Sequence, residues 1–250
     1  MQGSYIALGD SIQIDSYPAE DHGLKPTAKV GAASRFGAWL LSMGYVDQQF
    51  NLAVDGAVIS EIQRQIRHVP SETRHLVNII TLTAGGNNLS FGAMEWNSGK
   101  ADKFAYPILI ERIKDEYKEL CRTVSEKFPN SYVLVNTHYD PTDGTGRLPN
   151  CGAWSDIVDW YHRGRKELSD YTRSRDPLPN DQFIVCDLFK LFDGHGMAEK
   201  EVGSRWYYDN FMIEPGYEGA RRIAKHWVYK LKANAKFEQY EQMDFAIPRV

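Results

Sequence analysis

The chain has 250 residues and a formal net charge of -4, with 42% hydrophobic and 25% charged residues. This composition is ordinary for a globular protein, and the length suffices for a full core without stabilising disulfides. The mildly negative charge argues against a nucleic acid as the main partner, because phosphate binding usually needs a basic face. No segment resembles a signal peptide or a membrane span, so we expect no membrane partner.

The three cysteines predict neither disulfides nor a metal site. Cys121, Cys151 and Cys186 are odd in number and form no CxxC pair or metal-ligand spacing. Cys121 and Cys186 lie in apolar patterns, which predicts two thiols in the core, whereas Cys151 lies in a loop. The simplest interpretation is a reduced, cytoplasmic location.

Short apolar runs alternate with helical periods along the chain. The runs predict strands over residues 4–8, 49–53, 76–82, 132–135 and 183–186. The helical periods predict helices over residues 32–43, 60–67, 107–128, 155–171 and 219–231. A turn-rich stretch over residues 140–151 is long enough to indicate a functional loop.

This alternation predicts right-handed crossovers and a parallel sheet with helices on both faces. We therefore expect the α/β class: a three-layer α/β/α sandwich with a parallel five-stranded sheet, flavodoxin-like in layout. Because no linker or repeat interrupts residues 1–250, we predict one domain. Ligands of such sheets bind beyond the carboxyl ends of the strands, so the residues that follow each strand are the candidate site.

Three of these residues fit acyl-transfer chemistry. That chemistry needs a hydroxyl nucleophile, a base and donors directed at the developing oxyanion. Ser11 follows the first strand and offers the hydroxyl. Its own N–H, the N–H of Gly56 and the side-chain amide of Asn87 offer three donors, and a glycine lets the backbone approach a substrate closely.

Three sequence blocks resemble those of the SGNH or GDSL hydrolases. They are Gly9-Asp10-Ser11, Gly56 after Asn51-Leu52-Ala53-Val54-Asp55, and Gly85-Gly86-Asn87-Asn88. Their order and spacing match the family over most of the chain, although Asn88 replaces the usual aspartate. The resemblance implies that Ser11 is the nucleophile, and that Ser11, Gly56 and Asn87 form the oxyanion hole. It also implies the hydrolysis of a small-molecule ester through an acyl-enzyme without a cofactor.

The last block departs from the family pattern. The family has D-x-x-H-P before its final helix, and this chain has Phe211-Met212-Ile213-Glu214-Pro215. Glu214 stands in place of the histidine, and Phe211 in place of the aspartate. A glutamate with an ordinary pKa of about 4.3 is a poor base for a serine hydroxyl at neutral pH.

Three interpretations of this departure remain open. His195, between Gly194 and Gly196, is one candidate base, with Glu214 orienting it in a Ser11–His195–Glu214 triad. His138, after the fourth strand, is another. Without a base, the chain would be a non-catalytic ligand-binding module on a hydrolase scaffold.

A subset of the superfamily also resembles this chain in its Y-D-P-x-D-G-T-G, G-H-G and I-E-P segments. Here these are residues 139–146, 194–196 and 213–215. They support kinship but imply no substrate, and transfer of the acyl group to another alcohol stays open. The chain contains no G-x-S-x-G elbow, phosphate loop or H-E-x-x-H motif, which argues against most other enzyme classes.

Overall fold

The computed structural model describes residues 3–100, 106–146, 159–196 and 205–238. Its sheet has the strand order β2-β1-β3-β4-β5, and each neighbouring pair is parallel. This order is typical of flavodoxin-like sheets and confirms the predicted fold class. The strands are β1 (Ser4–Leu8), β2 (Gln48–Asn51), β3 (Ile79–Leu82), β4 (Tyr132–Asn136) and β5 (Phe183–Cys186).

Helices connect the strands and cover both faces of the sheet. In the described ranges, no helix is long and apolar enough to cross a membrane. The helices are α1 (Ser16–Asp21), α2 (Ala32–Ser42), α3 (Ile59–Gln65), α4 (Gly86–Asn97), α5 (Tyr106–Lys127), α6 (Asp159–Arg173), α7 (Leu188–Phe192) and α8 (Tyr217–Lys232).

Each face of the sheet has its own hydrophobic core, because successive side chains of a strand point to opposite faces. Ile6 and Leu8 of β1 belong to the core that contains the buried side chains of α3 and α5. Tyr5 and Ala7 belong to the core that contains those of α2 and α8. Burial on both faces explains why β1 and β3 are mostly apolar, whereas the edge strand β2 is polar and partly exposed.

Several predicted elements have the predicted extent. The stripe on α5 is buried as expected, and Cys121 and Cys186 are buried free thiols. Strand β3 is shorter than predicted, because the side-chain amide of Asn78 donates to the carbonyls of Thr73 and Leu76 and holds the preceding residues in a turn. Cys151 and part of the turn-rich stretch lie outside the described residues.

Three helices were not predicted from the sequence, namely α1, α4 and α7. The most important is α4, which begins where the sequence indicates a simple turn. Gly85 adopts a φ of 97° that favours glycine, and this lets the chain turn from β3 directly into the helix. Asn87 and Asn88 therefore lie in the first turn of α4, at the carboxyl edge of the sheet.

Candidate active site

Ser11 lies in a tightly held turn at the carboxyl end of β1. The carboxylate of Asp10 accepts hydrogen bonds from the N–H of Ile12 (3.2 Å) and the hydroxyl of Thr83 (2.9 Å). A side chain at Gly9 could not fit, because its Cβ would lie 2.0 Å from Oγ1 of Thr83. These contacts with the segment after β3 fix the turn. Ser11 itself is buried, with 6% of its surface exposed.

The hydroxyl of Ser11 donates a hydrogen bond to Oε1 of Glu214 over 2.9 Å. Glu214 lies in the segment before α8, which two contacts hold in place. The carbonyl of Glu214 accepts from the N–H of Tyr208 (2.8 Å), and the hydroxyl of Tyr139 donates to the carbonyl of Ile213 (2.9 Å). The structure therefore brings Ser11 and Glu214 into direct contact.

Glu214 has an unusual electrostatic environment. Burial raises its pKa from 4.5 to about 8; the hydrogen bond from Ser11 opposes this increase, and the charges of Asp10 and Asp55 add to it. The buried guanidinium of Arg165 favours the ionised form. Oε2 of Glu214 is buried and has no hydrogen-bond partner in the described part of the chain. Such a carboxyl is half ionised near pH 8 rather than fully ionised at neutral pH.

The predicted oxyanion donors are neighbours in the structure. Nδ2 of Asn87 donates to the carbonyl of Ala57 over 3.1 Å, so the amide lies beside Gly56. The N–H of Val54 donates to the carbonyl of Gly9 over 3.1 Å, which places the turn over residues 54–57 next to the Ser11 turn. Gly56 has a φ of 72°, as this turn requires.

Two backbone N–H donors at this edge have no acceptor within the part of the chain that the structure describes. Across the described ranges, no hydrogen bond involves the N–H of Ser11 or that of Gly56. Asn88, which departs from the family pattern, has a structural role here: its Oδ1 accepts from the N–H of Ile59 over 3.0 Å at the start of α3.

His195 is held in a different contact from the one predicted. Its ring stacks on Trp206 with ring centroids 3.5 Å apart. The carboxylate of Asp143 accepts from the N–H groups of Gly194 (3.1 Å) and Gly196 (3.0 Å). In the predicted triad Glu214 orients His195, whereas in the structure Glu214 contacts Ser11 with no imidazole between them. Gly194 and Gly196 hold the His195 loop against Asp143 through their N–H groups.

His138 is a poor candidate for the base. It is buried, and burial together with the charge of Arg165 lowers its pKa to about 3. Its ring lies against the glycine turn after β3, since a Cβ on Gly85 would be 3.4 Å from Nε2 of His138. An imidazole with this pKa has little affinity for the proton of a serine hydroxyl.

Three residues at this edge were not expected there from the sequence, namely Tyr17, Asp55 and Arg165. The hydroxyl of Tyr17 donates to Oδ2 of Asp55 over 2.8 Å, and Nη1 of Arg165 donates to the carbonyl of Tyr139 over 3.1 Å. Of these three residues, only Arg165 had a sequence pattern that could have indicated its burial. It shares helical spacing with three other buried residues of α6, which are Leu168, Ser169 and Thr172.

No family model and no curated protein matches the chain. Solved structures match it. A lipase from a goat rumen metagenome matches with a TM-score of 0.66 and 16% identity, over 94% of this chain and 100% of the other. Phospholipase A1 from Streptomyces albidoflavus NA297 matches with a TM-score of 0.57 and 18% identity, over 92% and 100%.

A protein assigned as a GDSL-like lipase from Parabacteroides merdae ATCC 43184 matches with a TM-score of 0.57 and 16% identity, over 92% of this chain and 95% of the other. These structures share the strand and helix layout of the chain along nearly its whole length. The chain thus has the SGNH hydrolase fold, as the three sequence blocks imply.

Proposed function

We propose that the protein is a serine esterase that hydrolyses a small-molecule ester, with Ser11 as the nucleophile and Glu214 as its base. The observation that carries the proposal is the 2.9 Å hydrogen bond from the Ser11 hydroxyl to the Glu214 carboxyl. The fold shared with lipases supports it. A nucleophile in hydrogen-bond contact with a base at the carboxyl edge of the sheet is the arrangement that acyl transfer needs.

The reaction would use Glu214 twice. The ionised carboxylate accepts the proton of Ser11 while Oγ attacks the acyl carbon, and the resulting acid donates that proton to the leaving alcohol. Water then attacks the acyl carbon of the acyl-enzyme while Glu214 accepts a proton from the water. Protonated Glu214 returns this proton to Oγ of Ser11 as the bond to the acyl group breaks and the carboxylic acid product is released. Because its pKa is about 8, the ionised carboxylate of Glu214 is a stronger base than that of an ordinary glutamate. A catalytic base is most effective when its pKa lies near the operating pH.

Three donors would stabilise the tetrahedral oxyanion: the N–H groups of Ser11 and Gly56 and the amide of Asn87. In this proposal, Asn87 exchanges its hydrogen bond with the carbonyl of Ala57 for one with the oxyanion. Loss of one such donor typically costs about 10²–10³ in kcat, which makes the contribution of Asn87 measurable.

We further propose that the acyl group is apolar. Phe91 and Met94 of α4 are 45% and 38% exposed. They follow Asn87 by four and seven residues, so the three side chains share one face of the helix. An acyl chain that leaves the oxyanion hole along this face would bury both apolar side chains.

Hydrolysis of p-nitrophenyl esters by purified variants tests the proposal. Ser11→Ala is expected to abolish turnover, Glu214→Gln to lower kcat by about 10²–10⁴, and His195→Ala to retain most activity. Ser42→Ala is the matched control, since Ser42 is an exposed serine at the end of α2. If His195→Ala were as inactive as Ser11→Ala, the Ser11–His195–Glu214 triad would replace this mechanism. A folded wild type without any esterase activity would favour the ligand-binding module.

A further inference from the structure

We infer that Tyr17 is a positioning residue, which holds the Gly56 turn in place for oxyanion binding through its hydrogen bond to Asp55. This inference rests on the proposed function. It concerns a tyrosine that none of the sequence blocks includes.

The Tyr17 hydroxyl contacts the turn one residue before Gly56. It donates to Oδ2 of Asp55 over 2.8 Å. The turn is otherwise held on its sheet side, where the N–H of Val54 donates to the carbonyl of Gly9 over 3.1 Å. On the outer side, Val54 is 57% exposed, and a Cβ on Gly56 would meet no atom within 4 Å. Tyr17 therefore restrains a turn that has little other packing on its outer side.

The ring of Tyr17 contacts the segment that carries the base. Its centroid lies 5.8 Å from that of Tyr208 and 6.2 Å from that of Phe211. Tyr208 in turn donates its N–H to the carbonyl of Glu214 over 2.8 Å. The ring of Tyr17 thus packs against the base segment, and its hydroxyl binds the oxyanion turn, so one side chain sets the distance between the two.

The Tyr17 hydroxyl stays a donor over the working pH range. Burial, the hydrogen bond to Asp55 and the negative charge of Glu214 all raise the pKa of Tyr17. An exposed hydrogen bond of this kind contributes little to folding. Its effect on catalysis is expected to be larger, because a displacement of about 1 Å at a reacting centre can cost about 10² in rate.

Tyr17→Phe tests the inference, since it retains the ring and removes only the hydrogen bond. We expect kcat for a p-nitrophenyl ester to fall about tenfold while KM changes by less than about twofold. Affinity for an alkyl boronic acid, which forms a tetrahedral adduct with an active serine, should also fall about tenfold. Tyr229→Phe is the control, because Tyr229 is 67% exposed on α8, and it should behave as the wild type.

A double-mutant cycle assigns the effect to the pair. The cycle is measured at about pH 9, where Glu214 is ionised with or without the charge of Asp55. Asp55→Ala should there cause the same loss of kcat as Tyr17→Phe, and the double variant should lose no more than either single variant. Wild-type kcat and boronate affinity in Tyr17→Phe would overturn the inference, as would additive losses in the double variant. Should Tyr17→Phe fail to fold, normal activity of Asp55→Ala, whose side chain lies on an exposed turn, would overturn it equally. A wild type with neither esterase activity nor boronate binding would contradict the proposed function itself, and the role of Tyr17 with it.

Discussion

Replacing Glu214 by glutamine should stabilise the fold at alkaline pH while it removes activity. Burial raises the pKa of Glu214 from 4.5 to about 8. The two values differ by about 3.5, and one pKa unit corresponds to about 1.36 kcal/mol. Ionising Glu214 in the folded protein therefore costs up to about 5 kcal/mol more than in the unfolded chain. Glutamine has nearly the same shape and does not ionise.

The sign of the effect follows from proton linkage. Because the pKa is higher in the folded state, the folded state binds the proton more tightly, and the contribution of Glu214 to stability is fully present below about pH 4.5. It decreases as the pH rises and is lost above about pH 8. The stability gained by Glu214→Gln should therefore be small at about pH 5 and approach 5 kcal/mol at about pH 8.5, which corresponds to roughly 10 °C in Tm for a chain of this length.

Thermal unfolding followed by circular dichroism at these two pH values measures the gain. Glu72→Gln, at an exposed glutamate, is the matched control and should show no pH-dependent difference from the wild type. An equal change in Tm at both pH values would show that the pKa of Glu214 is not raised in the folded state. A variant less stable than the wild type at about pH 8.5 would contradict the raised pKa as well, since the ionised carboxylate would then be the form that the fold favours.

Three further predictions concern activity. The kcat/KM of the wild type should rise with pH and level off above about pH 8, because only ionised Glu214 accepts a proton; a plateau that begins near pH 6.5 would indicate a histidine base. Asn87→Ala should lower kcat by about 10²–10³ with little change in KM, and an unchanged kcat would exclude Asn87 from the oxyanion hole. Phe91→Ser combined with Met94→Ser should reduce kcat/KM for octanoate esters more than for acetate esters, whereas Ile108→Ser, at a 73% exposed position on α5, should not; equal losses on both esters would contradict an acyl-binding face on α4.

Local patterns were sufficient to predict most of the fold. The alternation of apolar runs and helical periods predicts the five parallel strands, because period and length are local properties. Helix α4 is the main exception. Its first turn contains glycine and asparagine, which favour turns in isolation, and it forms where the side chain of Asn88 binds the backbone of Ile59. Such a tertiary contact leaves no local signal.

The positions of the candidate site residues could be predicted only where they depend on local sequence. Ser11, Gly56 and Asn87 each follow a strand and lie at one edge of the sheet, as expected. The contact between Ser11 and Glu214 joins residues 203 positions apart, and the raised pKa of Glu214 depends on burial that the sequence does not reveal. The N–H groups of the two glycines that flank His195 donate to Asp143, which is 51 and 53 positions away, and this contact leaves no local signal in the sequence.

Labelling with a fluorophosphonate, read out by mass spectrometry of the modified peptide, tests most directly whether Glu214 activates Ser11. We predict that the wild type is labelled at Ser11, and that the rate of labelling increases with pH up to about pH 8. Labelling should be absent in Ser11→Ala, strongly slowed in Glu214→Gln and close to the wild-type rate in His195→Ala. Labelling of Glu214→Gln at the wild-type rate, in a protein that is folded by circular dichroism, would show that Glu214 is not the base that activates Ser11.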